Sequence, residues 1–274
     1  MLGFPNAKIN IGLNITGKRG DGFHDLESLF YPVGLCDILE ITRGPSDLSS
    51  GTPLLTATGR VIGGPVEKNL CMKAAKLVGE KYTLPSVRIH LHKIIPPGSG
   101  LGGGSSDAAF VIKLLNREFS LGMSEPETIS LAEKAGSDCP FFIQNRPALV
   151  RGKGDIIIPV KPFLSGYYLI LVIPGIHIDT SWAYSKIIPS KPEESLSGLI
   201  AQPVERWKNR IKNDFEEIVY DRYREIAEIQ HVLYDSGAVF SSMSGSGSAV
   251  YGIFTGETGV PDFPAGFFTW TGKM

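Results

Sequence analysis

The chain has 274 residues, 42% of them apolar and 20% charged, with a formal net charge of −1. This length accommodates one large domain or two ordinary ones around a sizeable core, and the composition is that of a soluble globular protein. The near-neutral balance argues against broad nucleic-acid or anionic-membrane binding, so an anionic ligand has to be held by local groups.

In chain order, Ala7–Thr16 alternates Ile9, Ile11, Leu13 and Ile15 with Lys8, Asn10, Gly12 and Asn14, which predicts a strand with one polar face shared by Lys8 and Asn10. Gly17–Gly22 reads as a turn, and Phe23–Val33 brings Phe23, His24, Phe30 and Tyr31. Strands are expected at Ile38–Ile41 and Leu54–Val61, with a surface loop over Arg43–Pro53 between them. Leu70, Ala74, Leu77 and Val78 fall at helical spacing and predict a helix over Lys68–Tyr82. Ser124–Glu127 has the form of a capping box opening a helix that Gly136 closes. Arg151–Asp155 reads as a tight turn between strands, Tyr167–Ile173 as a central strand and Val204–Tyr234 as mostly helical. Pro189–Pro203 shows no clear period, and Ala238–Phe254 reads as two β runs flanking Met243–Ser248. Strands and helices mix without regular β-α-β alternation, which favours α+β. Cys36, Cys71 and Cys139 are widely spaced and suit a reducing compartment. The N-terminus lacks an apolar leader, and the most apolar stretch, Tyr167–Ile178, is too short to span a bilayer. A cytoplasmic protein is expected.

The most informative stretch is Pro96–Ala109, which reads Pro-Pro-Gly-Ser-Gly-Leu-Gly-Gly-Gly-Ser-Ser-Asp-Ala-Ala. Before it, Val87, Ile89, Leu91 and Ile95 alternate with Arg88, His90 and His92 as in a half-buried strand. After it, Ala108, Val111, Ile112, Leu115 and Phe119 have helical spacing, with Ser105 or Ser106 placed to cap the helix. Strand, glycine loop and helix N-terminus together favour phosphate, because glycines let the backbone approach a ligand and the helix start offers N–H groups and partial positive charge. The G-x-G-x-x-G spacing of Gly98, Gly100 and Gly103 is weak evidence for a Rossmann site, since the strand is one-sided and Pro96-Pro97 intervene. Gly104 stands where a Walker lysine would be, and a flexible linker fits poorly with Leu101 and the helix that follows.

Ala7–Asn10, Gly20–His24, the Pro96–Ala109 loop, Gly136–Pro140 and Met243–Gly247, in that order, resemble the GHMP small-molecule kinases. The resemblance runs from Lys8 to about Phe254 and is weakest after Pro189. It implies a two-lobed α+β kinase, with an N-terminal lobe over 1–158 like ribosomal protein S5 domain 2 and a ferredoxin-like C-terminal lobe over 159–274. It further implies transfer of the γ-phosphoryl of ATP, with Mg²⁺, to the 2-hydroxyl of a cytidine-diphosphate-linked methylerythritol in the non-mevalonate isoprenoid route. Mevalonate- or homoserine-type phosphorylation and a non-catalytic nucleotide-binding protein stand as alternatives. No nucleic-acid or membrane partner is expected, and the oligomeric state is left open.

By the resemblance, Pro96, Pro97, Gly98, Ser99, Gly100, Leu101, Gly102, Gly103, Gly104, Ser105 and Ser106 wrap the triphosphate, with Asn69 and Lys93 near the nucleotide. Lys8 and Asp138 match the catalytic pair, and Asn10, Phe23, His24 and Tyr184 the cytidine side. Bland readings compete with each. From spacing alone Asp138 reads first as a helix cap, an order that the resemblance reverses; Lys8 alone reads as an exposed strand lysine and His24 as a satisfied loop histidine. His90 and His92 read as a solvent face rather than metal ligands, and Met243–Ser248 as a hairpin turn, where the resemblance implies instead a segment that closes over the reacting phosphate. The sequence offers no acidic pair for a dedicated metal site, so Mg²⁺ is expected to arrive with ATP, touched by Ser105 or Ser106. Phe23 stands where the family often has tyrosine, which keeps stacking but loses a hydroxyl.

Overall fold

In a computed structural model, which describes residues 1–45 and 52–274, the chain forms twelve strands and eight α-helices among the described residues. The strands, in chain order, are β1 (Leu2–Gly3), β2 (Asn6–Lys18), β3 (His24–Cys36), β4 (Ile38–Arg43), β5 (Pro53–Gly59), β6 (Val87–Lys93), β7 (Ala148–Gly152), β8 (Ile156–Pro159), β9 (Tyr168–Ile173), β10 (Phe240–Met243), β11 (Val250–Phe254) and β12 (Phe268–Lys273). The helices are α1 (Leu70–Lys81), α2 (Gly103–Glu118), α3 (Glu125–Ala135), α4 (Cys139–Gln144), α5 (Thr180–Lys186), α6 (Leu196–Ile200), α7 (Phe215–Arg222) and α8 (Arg224–Asp235). Of the surface loop expected over Arg43–Pro53, residues 46–51 lie outside the described residues. No described helix is long and apolar enough to cross a membrane.

Contacts divide the chain into two compact units. One comprises Met1–Ala7, Leu35–Pro97 and Gly102–Asn145; the other comprises Lys8–Gly34, Gly98–Leu101 and Arg146–Met274. The first is built on a sheet in the order β1-β4-β6-β5, in which β5 runs parallel to β6 and the other pairs are antiparallel. Period-two alternation does on β6 what it implies: Val87, Ile89 and Leu91 are buried, while Arg88 is exposed. His90 and His92 face the other way and bond Thr56 and Thr58 of β5, at 3.0 and 2.9 Å, as ordinary surface side chains. Helices α1 and α2 pack against this sheet, α1 on β5 and α2 on β4. The capping box at α3 is present, with the Ser124 N–H donating to Glu127 at 3.1 Å, and Gly136 ends the helix.

The second unit carries two sheets, β2-β3-β7-β8 and β10-β11-β9-β12. Strand β9 is central in the latter, and its Leu169, Ile170, Leu171 and Val172 are fully buried. Its partner β12, which the sequence did not announce, sets Trp270 opposite Leu171. Ile170, Val172, Phe215, Val219, Ile226, Ile229, Leu233 and Val250 form the core under α7 and α8. The periodless stretch 189–203 contains α6, capped by Ser195, whose hydroxyl accepts from the Gly198 N–H at 3.2 Å. Residues 204–234 are helical only in a short 3₁₀ turn, α7 and α8.

Two expectations are corrected. Helix α2 starts at Gly103 behind a left-handed Gly102 and has no side-chain cap, so Ser105 and Ser106 lie inside its first turn. Lys8 is not an exposed strand lysine: it shares a polar face of β2 with Asn10, but the two are 3% and 1% exposed, because internal acceptors and donors satisfy them.

At the start of α2 the first unit buries three charged groups. Lys93 Nζ donates to Asp37 Oδ2 and Asp107 Oδ2, both at 2.6 Å, and none of the three side chains is more than 3% exposed. Asp37 Oδ1 also accepts from the Ile94 and Ile95 N–H groups at 2.6 and 2.9 Å, fixing the chain as it leaves β6. One ammonium cannot offset two buried carboxylates. Burial, together with the Asp37 charge and against the pull of Lys93, pushes Asp107 up to about 7. The nearby Cys71 thiol on α1 is pushed up by the same burial.

A carboxylate with a raised folded-state pKa binds more protons in the folded than in the unfolded protein between its ordinary value and about 7. Its stabilising contribution is full below that window and is lost as pH rises through it. Asp107→Asn removes the titration. Denaturant unfolding should show the variant gaining on the wild type by ~1 kcal/mol or more between pH 5 and pH 8. A difference that stays constant with pH would contradict this account of the cluster.

Candidate active site

The loop from Pro96 to Gly102 joins β6 to α2, and Gly98, Gly100 and Gly102 all have positive φ, at 68°, 82° and 69°. At Gly100 the requirement is double. Its φ belongs to the left-handed region, and a Cβ would stand 2.1 Å from the Ser244 carbonyl oxygen. Gly103 needs no unusual φ, but a Cβ there would lie 3.0 Å from both Lys93 Nζ and Ile95 Cγ2. The first turn of α2 therefore rests directly on the buried charge cluster.

Within the first unit, α2 begins with N–H groups that no side chain caps, at the positive end of a 16-residue helix. Ser106 Oγ in that turn is buried without a hydrogen-bond partner, and Ser105 contacts the Cys139 thiol, which burial pushes up to about 12. Asn69 caps α1 through its Oδ1, which accepts from the Cys71 N–H at 2.8 Å, and it lines a cavity of about 300 Å³ together with Leu55, Ala57, Arg60 and Val66. Lys93 is not presented to solvent; both carboxylates described above occupy its ammonium. Asp138 stands at the N-cap position of α4 but makes no side-chain capping hydrogen bond there.

Within the second unit, Lys8 is drawn onto the loop. Its N–H donates to the Leu101 carbonyl at 2.9 Å, and its Nζ donates to the Gly100 carbonyl at 3.0 Å and to Asn10 Oδ1. The ammonium also lies 4.7 Å from the centre of the Phe30 ring. The Asn10 amide donates to Ser28 Oγ at 2.9 Å, so this side chain serves the interior and holds Lys8. The turn between β10 and β11 closes on the same loop: Ser244 Oγ donates to the Gly100 carbonyl at 3.0 Å, and the Ala249 N–H donates to the Ser99 carbonyl at 3.0 Å. Met243–Ser248 is thus a hairpin connection and a support for the glycine loop at once.

His24 and Tyr184 come together, with ring centroids 5.2 Å apart and planes at 33°. The far contact of Tyr184 is an edge-on Phe215 at 4.9 Å. Phe23 is 59% exposed, with the Lys153 ammonium 5.8 Å from its ring. The sequence reading passed over Asp37, Asp107, Asn213, Glu216 and Ser244, which support the site through contacts between segments remote in sequence. Of these, only Ser244 and Asp107 lay inside motifs already singled out.

Residues 69–146 match the family described as GHMP kinases N terminal domain, and residues 196–261 match GHMP kinases C terminal. A 4-diphosphocytidyl-2-C-methyl-D-erythritol kinase from Azobacteroides pseudotrichonymphae is 49% identical over 93% of this chain and 93% of its own length. One from Bacteroides fragilis is 47% identical over 97% of each. Among solved structures, a 4-(cytidine 5'-diphospho)-2C-methyl-D-erythritol kinase superposes with a TM-score of 0.76 at 30% identity, covering 93% of this chain and 91% of the other. A homoserine kinase from Cytophaga hutchinsonii shares the fold, with a TM-score of 0.64 at 16% identity over 92% and 85% of the two chains. Near-complete coverage at this identity, on a two-domain α+β GHMP fold, leads to one conclusion: the chain belongs to the 4-diphosphocytidyl-2-C-methyl-D-erythritol kinase family of the GHMP kinases.

Proposed function

We propose that the chain transfers the γ-phosphoryl group of ATP to the 2-hydroxyl of 4-(cytidine 5'-diphospho)-2-C-methyl-D-erythritol, in the non-mevalonate route to isoprenoids. The family supports the phosphoryl donor and the acceptor. The observation that carries the reading to particular atoms is the uncapped start of α2, reached through a loop whose backbone is opened by left-handed glycines. Pro96–Ser106 would hold the triphosphate, and the cavity beside Asn69 has room for a base. Free cysteines at 36, 71 and 139 are in keeping with a reducing cytoplasm.

Phosphoryl transfer needs a positioned hydroxyl, an acceptor for its proton and positive charge against the developing anion. We assign the acceptor to Asp138, whose carboxylate takes the 2-hydroxyl proton as the new O–P bond forms and ADP departs. Lys8 supplies positive charge from a buried position, where water does not screen it. Mg²⁺ bound with ATP would neutralise charge on the phosphates. The partnerless Ser106 hydroxyl and its neighbour Ser105 are the protein oxygens on α2 that suit it. On the acceptor side, exposed Phe23 offers a ring face for cytosine, and His24 a nitrogen for its polar edge. In the ligand-free chain His24 lies against Tyr184, so a base stacking on Tyr184 has to displace the imidazole.

Asp138→Asn should lower kcat by ~10²–10⁴ while ATP binding by calorimetry is unchanged; near-normal turnover would remove Asp138 from the mechanism. Gly100→Ala should fold but bind ATP at least ~10-fold more weakly, since its Cβ meets a carbonyl oxygen that belongs to the loop's own support. Wild-type ATP affinity in that variant would show that the loop does not hold the phosphates. Phe23→Ala should raise KM for the cytidine-linked substrate by ~10-fold, the loss of about 1.4 kcal/mol of stacking, and spare KM for ATP. The reverse pattern would place the ring on the adenine side.

A further inference from the structure

The segment Lys212–Glu216, just ahead of and within the first turn of α7, touches two parts of the second unit that bear on the glycine loop, strand β2 and the turn that holds Ser244. It pairs with β2, the strand that carries Lys8: the Leu13 N–H donates to the Lys212 carbonyl at 2.9 Å, and the Asp214 N–H donates to the Leu13 carbonyl at 2.8 Å. The Ile15 N–H donates to Asp214 Oδ2 at 2.7 Å. Asn213 then reaches in the other direction. Its Nδ2 donates to the carbonyls of Met243 and Gly245, both at 2.8 Å, while its Oδ1 accepts from the Phe215 N–H at 3.0 Å. Glu216 Oε1 accepts from the Met243 N–H and from Ser242 Oγ, both at 2.7 Å. The two carbonyls bonded by Asn213 flank Ser244, the residue whose hydroxyl bonds the Gly100 carbonyl.

The turn closes itself with two backbone bonds, Gly247 N–H to the Ser244 carbonyl at 3.0 Å and Ser244 N–H to the Ala249 carbonyl at 2.8 Å, but its glycines at 245 and 247 leave the backbone between them easily deformed. Here an amide that is 3% exposed supplies a further constraint at two points, the carbonyls on either side of Ser244. We propose that Asn213 is a positioning residue of the kinase reaction: by clamping the 243–249 turn it sets Ser244, and through Ser244 the Gly100 carbonyl that Lys8 also grips. Glu216 holds the strand end leading into the same turn. The proposal rests on the reading of the loop and Lys8 given above.

Asn213→Asp separates this role from the capping of α7. A carboxylate keeps the acceptor for the Phe215 N–H but loses both donors and turns an oxygen toward two carbonyls. The variant is expected to raise the ATP Kd and the KM for ATP by ~10-fold and to lower kcat, with KM for the cytidine-linked alcohol within about twofold of wild type. A merely structural loss acts otherwise. It removes active molecules, so kcat per total protein falls while both KM values and the ATP Kd of the folded fraction stay put. Ser244→Ala, a small buried change, tests the same link if the aspartate variant does not fold, with ~3–10-fold expected in the same ATP constants. Ile229→Val, in the core under α8, controls for lost stability and should leave every KM unchanged. Glu216→Gln, which keeps the acceptor for Met243, should restore most of what Glu216→Ala loses.

Wild-type ATP constants in a folded Asn213→Asp or Ser244→Ala variant would overturn the proposal. The ATP Kd is measured without the alcohol. An error in the choice of acceptor would therefore appear as absent turnover in the wild type, and the binding arm would still decide the role of Asn213.

Discussion

The site depends on one backbone carbonyl. Gly100 offers an oxygen with two lone pairs, and the structure spends them on Lys8 Nζ and Ser244 Oγ. A loop of this composition opens its backbone to close approach at the cost of more conformational entropy than other residues would lose. Its own sequence cannot recover that order, because glycine brings no side chain to pack. Order has to come from groups outside the loop. A buried charge-assisted bond from a lysine is among the stronger neutral-acceptor contacts available, and burial makes it costly to break.

The two units hold their portions of the loop by different physics. In the second, the contacts on Gly98–Leu101 are hydrogen bonds to neutral backbone oxygens: Ser99 from Ala249, Gly100 from Ser244 and Lys8, Leu101 from Lys8. Such bonds are directional and tolerate little displacement. In the first, the entry and exit of the loop are tied by charge. Asp37 takes the N–H groups of Ile94 and Ile95 just after β6, and Lys93 sits under Gly103 where α2 begins. Desolvating three charges for this is expensive, and buried ion clusters are weak contributors to stability. Their return is geometric, since an ammonium between two carboxylates fixes the distance between a strand end and a helix start.

Much of this was legible in the sequence where the signal is local. Period two over Val87–Leu91, helical spacing after Gly103, the Ser124–Glu127 box and the apolar run of β9 each report a property of a few adjacent residues, and each element is there. The helix start at α2 was misplaced because serine is a common cap, whereas here a left-handed glycine turns the chain into the helix and leaves the N–H groups uncapped. Lys8 and Asn10 alternate with isoleucines as a solvent face would, yet the other side of β2 is covered by Phe30, Ser28, the loop and Tyr251. Alternation shows that a strand has two chemically different faces; it does not show that either is wet. Asn213 and Glu216 were invisible for a related reason. Their partners lie some 30 residues downstream, and a buried asparagine before a helix looks like any other cap until those partners are found.

Lys8, which the family resemblance matched to the catalytic pair, and Lys93, which it matched to the nucleotide side, illustrate how environment sets what a charge can do. Both are 3% exposed, and each is anchored to one side of the glycine loop. Lys93 donates to two carboxylates, so its charge is more than offset within 3 Å, and Asp107 rather than the lysine carries the electrostatic strain. An ammonium so neutralised has little field left for a polyphosphate, and its geometry under Gly103 suits support of the helix start. Lys8 donates instead to uncharged oxygens of Gly100 and Asn10 and lies over an aromatic ring. Dipoles and quadrupoles orient a cation without cancelling its net charge. That charge persists beyond the contact and is available to an anion that forms nearby. The same residue type, equally buried, therefore has its charge cancelled in one place and left uncancelled in the other, and the difference lies in whether its acceptors are ions or dipoles.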